Sequence, residues 1–256
     1  MIDKDILRNL LSDVTQKCMV CGVDIFDNST GFCSHCVKDV VFNNGKTCLR
    51  CGVHLVGEEN YCSNCVSDNN YFDRAYSAFT YDGNIVRVIH SLKFGNMAGY
   101  ARVLAAYLAY LVVTNNITFD EVCFVPMTAK SQKLRRYNQS QLLSQYFCDI
   151  LSKDCPKPLL VKVRETARQE TLDKYSRKCN LDRAFAVDKQ YDVTGKAVLV
   201  IDDVKTTGAT LEECARALKK AGADKVYCLT VASREENVLV EKGDRHERKG
   251  KKVRLV

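Results

Sequence analysis

Two groups of residues have types and spacing suited to chemistry. The first is Val198-Leu199-Val200-Ile201-Asp202-Asp203-Val204-Lys205-Thr206-Thr207-Gly208-Ala209-Thr210. Four β-forming residues run into adjacent carboxylates, then hydroxyl side chains and a glycine. Leu211, Cys214, Ala215 and Leu218 follow at three- and four-residue spacing, which marks one face of a helix. A buried parallel strand, a tight loop and a helix N-terminus are therefore expected. The first turn of a helix carries unpartnered N–H groups and the positive end of its dipole, so it favours an anion. Gly208 lets the backbone come close to a ligand, and the threonines add donors. Lys205, Thr206, Thr207, Gly208, Ala209 and Thr210 are the candidate phosphate cradle. Asp202 and Asp203 would repel a phosphate unless they face sugar hydroxyls or a hard cation such as magnesium. The ligand suggested is a sugar phosphate, with the acidic pair as candidate catalytic residues beside the sugar.

The second group is four Cys-x-x-Cys pairs: Cys18/Cys21, Cys33/Cys36, Cys48/Cys51 and Cys62/Cys65. A two-residue gap lets both thiolates reach one metal, and two such knuckles complete a tetrahedral four-cysteine site. Two structural zinc sites are expected, most simply from the first pair with the second and the third with the fourth. A cross-braced pairing also satisfies the spacing, and an iron–sulfur cluster or redox dithiols are the weaker alternatives. Gly22 and Gly52 follow the first and third pairs, where a knuckle needs a tight turn. His35 and His54 lie nearby, but eight cysteines suffice without them. A segment of this length with few large apolar side chains needs metal to hold its fold.

The intervening chain must position these groups. Residues 2–12 read as a short amphipathic helix with Ile6, Leu7, Leu10 and Leu11 on one side. Ser67 to Asn70 reads as a linker, and Ala75 to Tyr81 as a strand. Ile85, Val88, Ile89 and Leu92 mark one helix; Tyr100, Val103, Leu104, Tyr107, Leu108 and Leu111 mark the next. Glu121 to Pro126 is a further strand. It opens into a basic loop, with Asn138 as the cap of the helix beyond. Strand ends in open α/β sheets are where ligands bind, so Thr128, Lys130, Arg135 and Arg136 are candidate pyrophosphate ligands. Leu159 to Val163 reads as a short strand. After it, Arg164, Thr166, Arg168 and Gln169 lie in a polar stretch without period, read as a mobile lid. Val226 to Val231 closes the sheet.

The chain has 256 residues, a formal net charge of +7 and 46% hydrophobic content, enough for one α/β domain plus a small one. The expected division is 1–70, a zinc ribbon domain with a short N-terminal helix; 71–234, the α/β domain; and 235–256, a basic tail. No apolar run reaches the roughly 20 residues that span a bilayer. The N-terminus lacks a signal-peptide profile, so a cytoplasmic protein without membrane insertion is expected.

The strand–loop–helix word resembles the phosphoribosyl-pyrophosphate (PRPP) motif of type I phosphoribosyltransferases. The wider order of pieces resembles the ComF family of competence-associated phosphoribosyltransferase-like proteins over about residues 17–234. Its words are the cysteine knuckles, Tyr81-Asp82-Gly83, Ile89-His90-Ser91-Leu92-Lys93-Phe94, Val125-Pro126, Arg135-Arg136-Tyr137-Asn138-Gln139, and Thr166 with Gln169, Arg177, Asn180 and Phe185. The resemblance implies a type I phosphoribosyltransferase fold, a central mainly parallel sheet flanked by helices, behind a double zinc ribbon. It also implies PRPP with Mg2+ as ligand and a link to DNA uptake and natural transformation. Arg136 stands where the family usually has glycine, and Thr128 where it tends to have a second proline.

Two functions follow as expectations. One is a phosphoribosyltransferase, in which pyrophosphate leaves the ribose and a nucleophile enters. The alternative is a non-catalytic PRPP sensor or adaptor whose ribbons bind single-stranded DNA or a DNA-processing partner, such as a DNA-uptake helicase or recombination protein.

Overall fold

The computed structural model describes residues 3–11, 17–26, 30–55, 57–67, 70–164 and 181–234. Four parallel strands form the central sheet in the order β1-β6-β5-β2: β1 is Arg74–Thr80, β2 Glu121–Phe124, β5 Ala197–Lys205 and β6 Lys225–Ser233. Side chains alternate across a strand, and β5 uses both faces. Leu199 and Ile201 enter one apolar core; Val198 and Val200 enter another. β6 does the same, with Leu229 and Val231 on the first side and Val226 and Cys228 on the second. This is why both strands read as continuous apolar runs, as doubly covered parallel strands do.

The first core is closed by α1 (Lys4–Leu10), α3 (Gly83–Phe94), α4 (Tyr100–Thr114) and α6 (Gln139–Ile150). In α1, Leu7 and the following Leu11 are fully buried, while Ile6 and Leu10 are half-buried. The Asp3 carboxylate accepts from the N–H groups of Asp5 and Ile6, capping that helix. The second core is closed by α7 (Ala209–Lys220), whose Leu211, Cys214, Ala215 and Leu218 are all buried, the stripe read from the sequence.

Two features differ from the expectations. The basic segment after β2 is not a loop throughout: α5 spans Ala129–Arg135, capped by the Thr128 hydroxyl, which accepts from Ser131 N–H at 3.2 Å. The segment Leu159 to Val163 contributes β3 (Leu160–Lys162), which lies outside the central sheet and pairs antiparallel with β4 (Phe185–Val187). Its apolar residues made it read as a strand, but three residues cannot declare a partner.

The ribbons flank β1. Phe42 bridges antiparallel to Phe79, Thr80 N–H reaches Val41 O at 2.9 Å, and Asn43 N–H reaches Ala78 O at 2.9 Å. The open edge of the sheet is thereby covered. A helical turn spans Cys36–Asp39, and α2 spans Ser63–Ser67. Among the described residues, no helix is long and apolar enough to cross a membrane.

Candidate functional site

All four sheet strands are parallel, so their C-terminal ends meet at one edge. A cavity of about 520 Å³ opens there, lined by Tyr81 after β1, Val125 and Pro126 after β2, and Arg234 after β6. Asp202 and Asp203 lie in β5, at the same edge. Helical side chains complete it from above: His90, Lys93 and Phe94 of α3, Arg135 of α5, Gln139 and Ser140 of α6.

The acidic pair lines the cavity but is 8% and 4% exposed. Asp202 Oδ1 accepts from Ser140 Oγ at 2.8 Å and from Asp203 N–H at 2.8 Å. Burial, and then the Asp203 charge, push Asp202 up to about 7 against those hydrogen bonds. Lys93 Nζ stands 2.8 Å from Asp203 Oδ2, both side chains largely buried. Burial alone would pull Lys93 down; the charge and hydrogen bond of Asp203, then the charge of Asp202, more than offset this and hold its ammonium above the ordinary range.

At the end of β5, Lys205 is 6% exposed, and Gly208 turns the chain with φ +82° into the first turn of α7. Lys205, Thr206, Gly208, Ala209 and Thr210 line the cavity. Thr207 is not among the lining residues; its Oγ1 accepts from Ala209 N–H at 3.4 Å, a local bond across the Gly208 turn. Of the candidate pyrophosphate ligands, Thr128 and Arg135 line the cavity, and Arg135 stacks 4.7 Å above the Phe94 ring. Arg136 does not: it ends α5 in the left-handed region at φ +68°. Lys130 lies on α5, and its side chain is outside the described set. Arg164 also stays outside the lining, donating to Asp182 O at 2.8 Å. Thr166, Arg168 and Gln169 fall outside the described residues.

The stretch Tyr137-Asn138-Gln139 both ties the site together and, through Asn138 and Gln139, lines it. Asn138 caps α6 by accepting from Ser140 and Gln141 N–H, and its Nδ2 donates to Val125 O at 3.0 Å. It thus ties the β2 end to the helix that brings Ser140 to Asp202. The Tyr137 hydroxyl donates to Leu92 O, beside Lys93. Gln139 Oε1 is buried with no hydrogen-bond partner among the described residues. An orphan acceptor in a cavity wall is ready for a ligand donor.

The cysteines gather as Cys18, Cys21, Cys33, Cys36 and as Cys48, Cys51, Cys62, Cys65, every sulfur within 4.8 Å of the others in its set. The pairing is first with second and third with fourth, not cross-braced. Cys21 and Cys33 Sγ are 3.8 Å apart, and Cys51 and Cys62 Sγ 3.6 Å. A tetrahedral ion with Zn–S of about 2.3 Å has an S···S edge of about 3.8 Å, so both sets fit zinc. Neither His35 nor His54 belongs to a cluster.

Comparison with known proteins agrees with this geometry. The family models named Phosphoribosyl transferase domain and Double zinc ribbon domain match residues 137–253 and 10–66. "DNA utilization protein YhgH" of Salmonella typhimurium is 30% identical over 219 residues, 83% of this chain and 95% of that protein. "Competence protein F" of Haemophilus influenzae is 30% identical over 218 residues, 82% of this chain and 93% of that protein. This chain belongs to the ComF family. A more distant relative is "Competence protein ComFC" of Bacillus subtilis, 24% identical over 205 residues, 74% of this chain and 78% of that protein.

Within this ComF-family chain, the site includes residues that sequence reasoning left out. Lys93, Ser140, Lys162 and Arg234 line the cavity and were not among the candidates. Lys93 was visible as one of the family words, and it interrupts no apolar stripe, which is the signal available for it. Arg234 is fixed by its N–H to Lys205 O at 3.0 Å, and its guanidinium lies 5.7 Å over Tyr81. Among the described residues, the cavity thus holds five cationic side chains, Lys93, Arg135, Lys162, Lys205 and Arg234, against two carboxylates.

Proposed function

We propose that this chain binds PRPP with magnesium in the cavity, acts as a phosphoribosyltransferase, and serves DNA uptake and utilisation. The observation that carries this reading is the placement of Asp202 and Asp203 on the cavity wall, just ahead of the Gly208 turn and the first turn of α7. An excess of cationic lining suits a ligand with several phosphates. The role in DNA uptake rests on the names borne by its relatives.

In this reading the first-turn N–H groups of α7, with Lys205, Thr206 and Thr210, hold the 5′-phosphate. The acidic pair accepts from the ribose hydroxyls, with Ser140 orienting Asp202. Lys93, Arg135 and Lys162 face the pyrophosphate. Asp202 and Asp203 are the only described carboxylates in the lining, and Asp203 is held by Lys93. Magnesium would accordingly be carried mainly by the ligand's own phosphate oxygens, where it neutralises charge on the leaving group. As the C1–O bond breaks, its electron pair leaves with pyrophosphate, and the incoming nucleophile forms the new bond at C1. The cations stabilise the charge on the departing group.

Isothermal calorimetry with PRPP and magnesium tests binding. Wild type should give a saturable heat, and Asp202→Asn or Asp203→Asn should weaken binding about tenfold to a hundredfold, the range for hydrogen bonds to a charged group. Equal affinity in wild type and both variants would sink the reading. Binding without pyrophosphate release would favour the sensor instead of the transferase.

A further inference from the structure

The back of the phosphate loop is built from the second ribbon. Cys48, Cys51, Cys62 and Cys65 share one apolar core with Val200 of β5, Leu211 and Cys214 of α7, and Cys228 of β6. The first four-cysteine set does not: Cys18 and Cys36 pack in a small cluster of their own with Ile25.

Three hydrogen bonds, linked through the Asn70–Tyr71 peptide and the body of Glu212, join the second set to the loop. Asn70 Nδ2 donates to Cys65 Sγ at 3.3 Å. The next residue, Tyr71, donates its N–H to Glu212 Oε1 at 2.7 Å. The Glu212 N–H in turn bonds Gly208 O at 2.9 Å, closing the first turn of α7 over the glycine of the cradle.

We propose that Asn70, Tyr71 and Glu212 are positioning residues that couple occupancy of the second four-cysteine site to the shape of the phosphate loop. Zinc at that site fixes Cys65; Cys65 orients Asn70; the Tyr71 N–H holds Glu212; and Glu212 sets the turn at Gly208. Residues that hydrogen-bond a metal ligand typically alter metal affinity about 10–100-fold when removed. Coupling is reciprocal, so a ligand on the loop must also tighten the metal site. Only the ligand half of this inference rests on the PRPP reading.

The test uses the full chain in its zinc-loaded form. Zinc release to the coloured chelator 4-(2-pyridylazo)resorcinol is followed while N-ethylmaleimide traps freed thiols. Mass spectrometry then reports which set has opened. Without PRPP, Asn70→Ala and Glu212→Ala should speed release from Cys48, Cys51, Cys62 and Cys65 about tenfold and leave the first set unchanged. Glu212→Gln keeps an oxygen that accepts from Tyr71 and should release zinc like wild type. A general loosening would speed both sets, and that result, or wild-type rates in both alanine variants, overturns the proposal. In a separate arm, PRPP with magnesium should slow release from the second set alone. Calorimetric binding of PRPP with no such protection overturns the coupling and leaves the binding site standing. Absence of any PRPP heat in wild type fells the PRPP reading, while the ligand-free rates still decide the metal-to-loop link.

Discussion

The two ribbons share one local design and differ in what lies behind it. In the first, Cys18 N–H bonds Val23 O at 2.8 Å, and Gly22 N–H bonds Cys18 O at 2.9 Å. In the second, Cys48 N–H bonds Val53 O at 2.8 Å, and Gly52 N–H bonds Cys48 O at 2.9 Å. Gly22 and Gly52 take φ +74° and +67°. Beyond the knuckle the likeness ends. Cys21 of the first set is exposed, whereas all four cysteines of the second are buried. The first ribbon docks on α4 and on the end of α3 remote from the cavity: Tyr107 Oη donates to Thr30 O at 2.7 Å, Asn84 Nδ2 donates to Cys36 O at 2.9 Å, and Met19 enters the first core. The second docks on β1, with Ala75 N–H on Arg50 O at 2.7 Å, and its four cysteines enter the second core. Metal-binding geometry is thus a local property of a short word, while the duty of the metal depends on the core that closes over it.

The glycines give the sharpest contrast. A methyl on Gly22 would meet nothing within 4 Å, while one on Gly52 would lie 2.4 Å from the backbone oxygen of Ala75. Gly22→Ala should therefore cost only the left-handed conformation, about 1–2 kcal/mol. Gly52→Ala should cost that plus the displacement of β1, which at ~1–3 kcal/mol for overpacking brings it to about 2–5 kcal/mol. Urea unfolding of both variants with zinc present checks this. Equal losses would mean that the second knuckle is no more tightly docked than the first.

That contrast also marks what could be read from residues alone. The strand, the glycine turn and the helix after it were legible because four apolar residues, a glycine and a helical stripe lie in one short stretch, and each obeys a local rule. The knuckles were legible for the same reason, but their partners were not, since consecutive and cross-braced pairings satisfy one spacing equally. Lys93 and Ser140 reach the acidic pair from two separate helices, and Arg234 reaches the same cavity from the end of β6. Their convergence depends on β6 lying between β1 and β5, which no local pattern states. Helix α5 was hidden because its residues, Ala-Lys-Ser-Gln-Lys-Leu-Arg, carry no apolar period. Its signal was the Thr128 cap.

A smaller effect tests how far the closed side of the molecule extends to the acidic pair. Asp202 is raised to about 7 by burial and by Asp203. The folded chain therefore keeps a proton on Asp202 at pH values where the unfolded chain, with an ordinary carboxyl near 4, has lost it. Between about pH 4 and 7 the folded state binds more protons, so this group's contribution to stability falls as pH rises and is lowest above 7. Zinc–thiolate sites act in the opposite sense, because protons compete for sulfur. The informative quantity is the difference between wild type and Asp202→Asn. In urea titrations from pH 5.5 to 8, wild type should lose stability relative to the variant as pH rises. Parallel curves would remove Asp202 as the titrating group.

The smallest expected effect lies away from both ribbons and serves as their control. Arg136 occupies φ +68° at the end of α5, a backbone region that an L side chain enters at a cost of about 1–2 kcal/mol. Its N–H bonds Gln132 O at 2.8 Å, so the turn itself is needed. Its side chain is absent from the cavity lining. Glycine would relieve the strain and keep the N–H, but it would also add freedom to the unfolded chain, worth about 0.5–1 kcal/mol the other way. Arg136→Gly should therefore gain about 0–1.5 kcal/mol, a rise in melting temperature of up to roughly 6 °C for a domain of this size. Zinc release from either set should not change, because the turn's backbone bond runs to Gln132 within α5 and not to a cysteine. A loss of stability would show that the Arg136 side chain holds the turn through contacts worth more than the strain. A change in zinc release would show that the metal sites answer to loosening anywhere in the fold, and the distinction between the ribbons would then lose its footing.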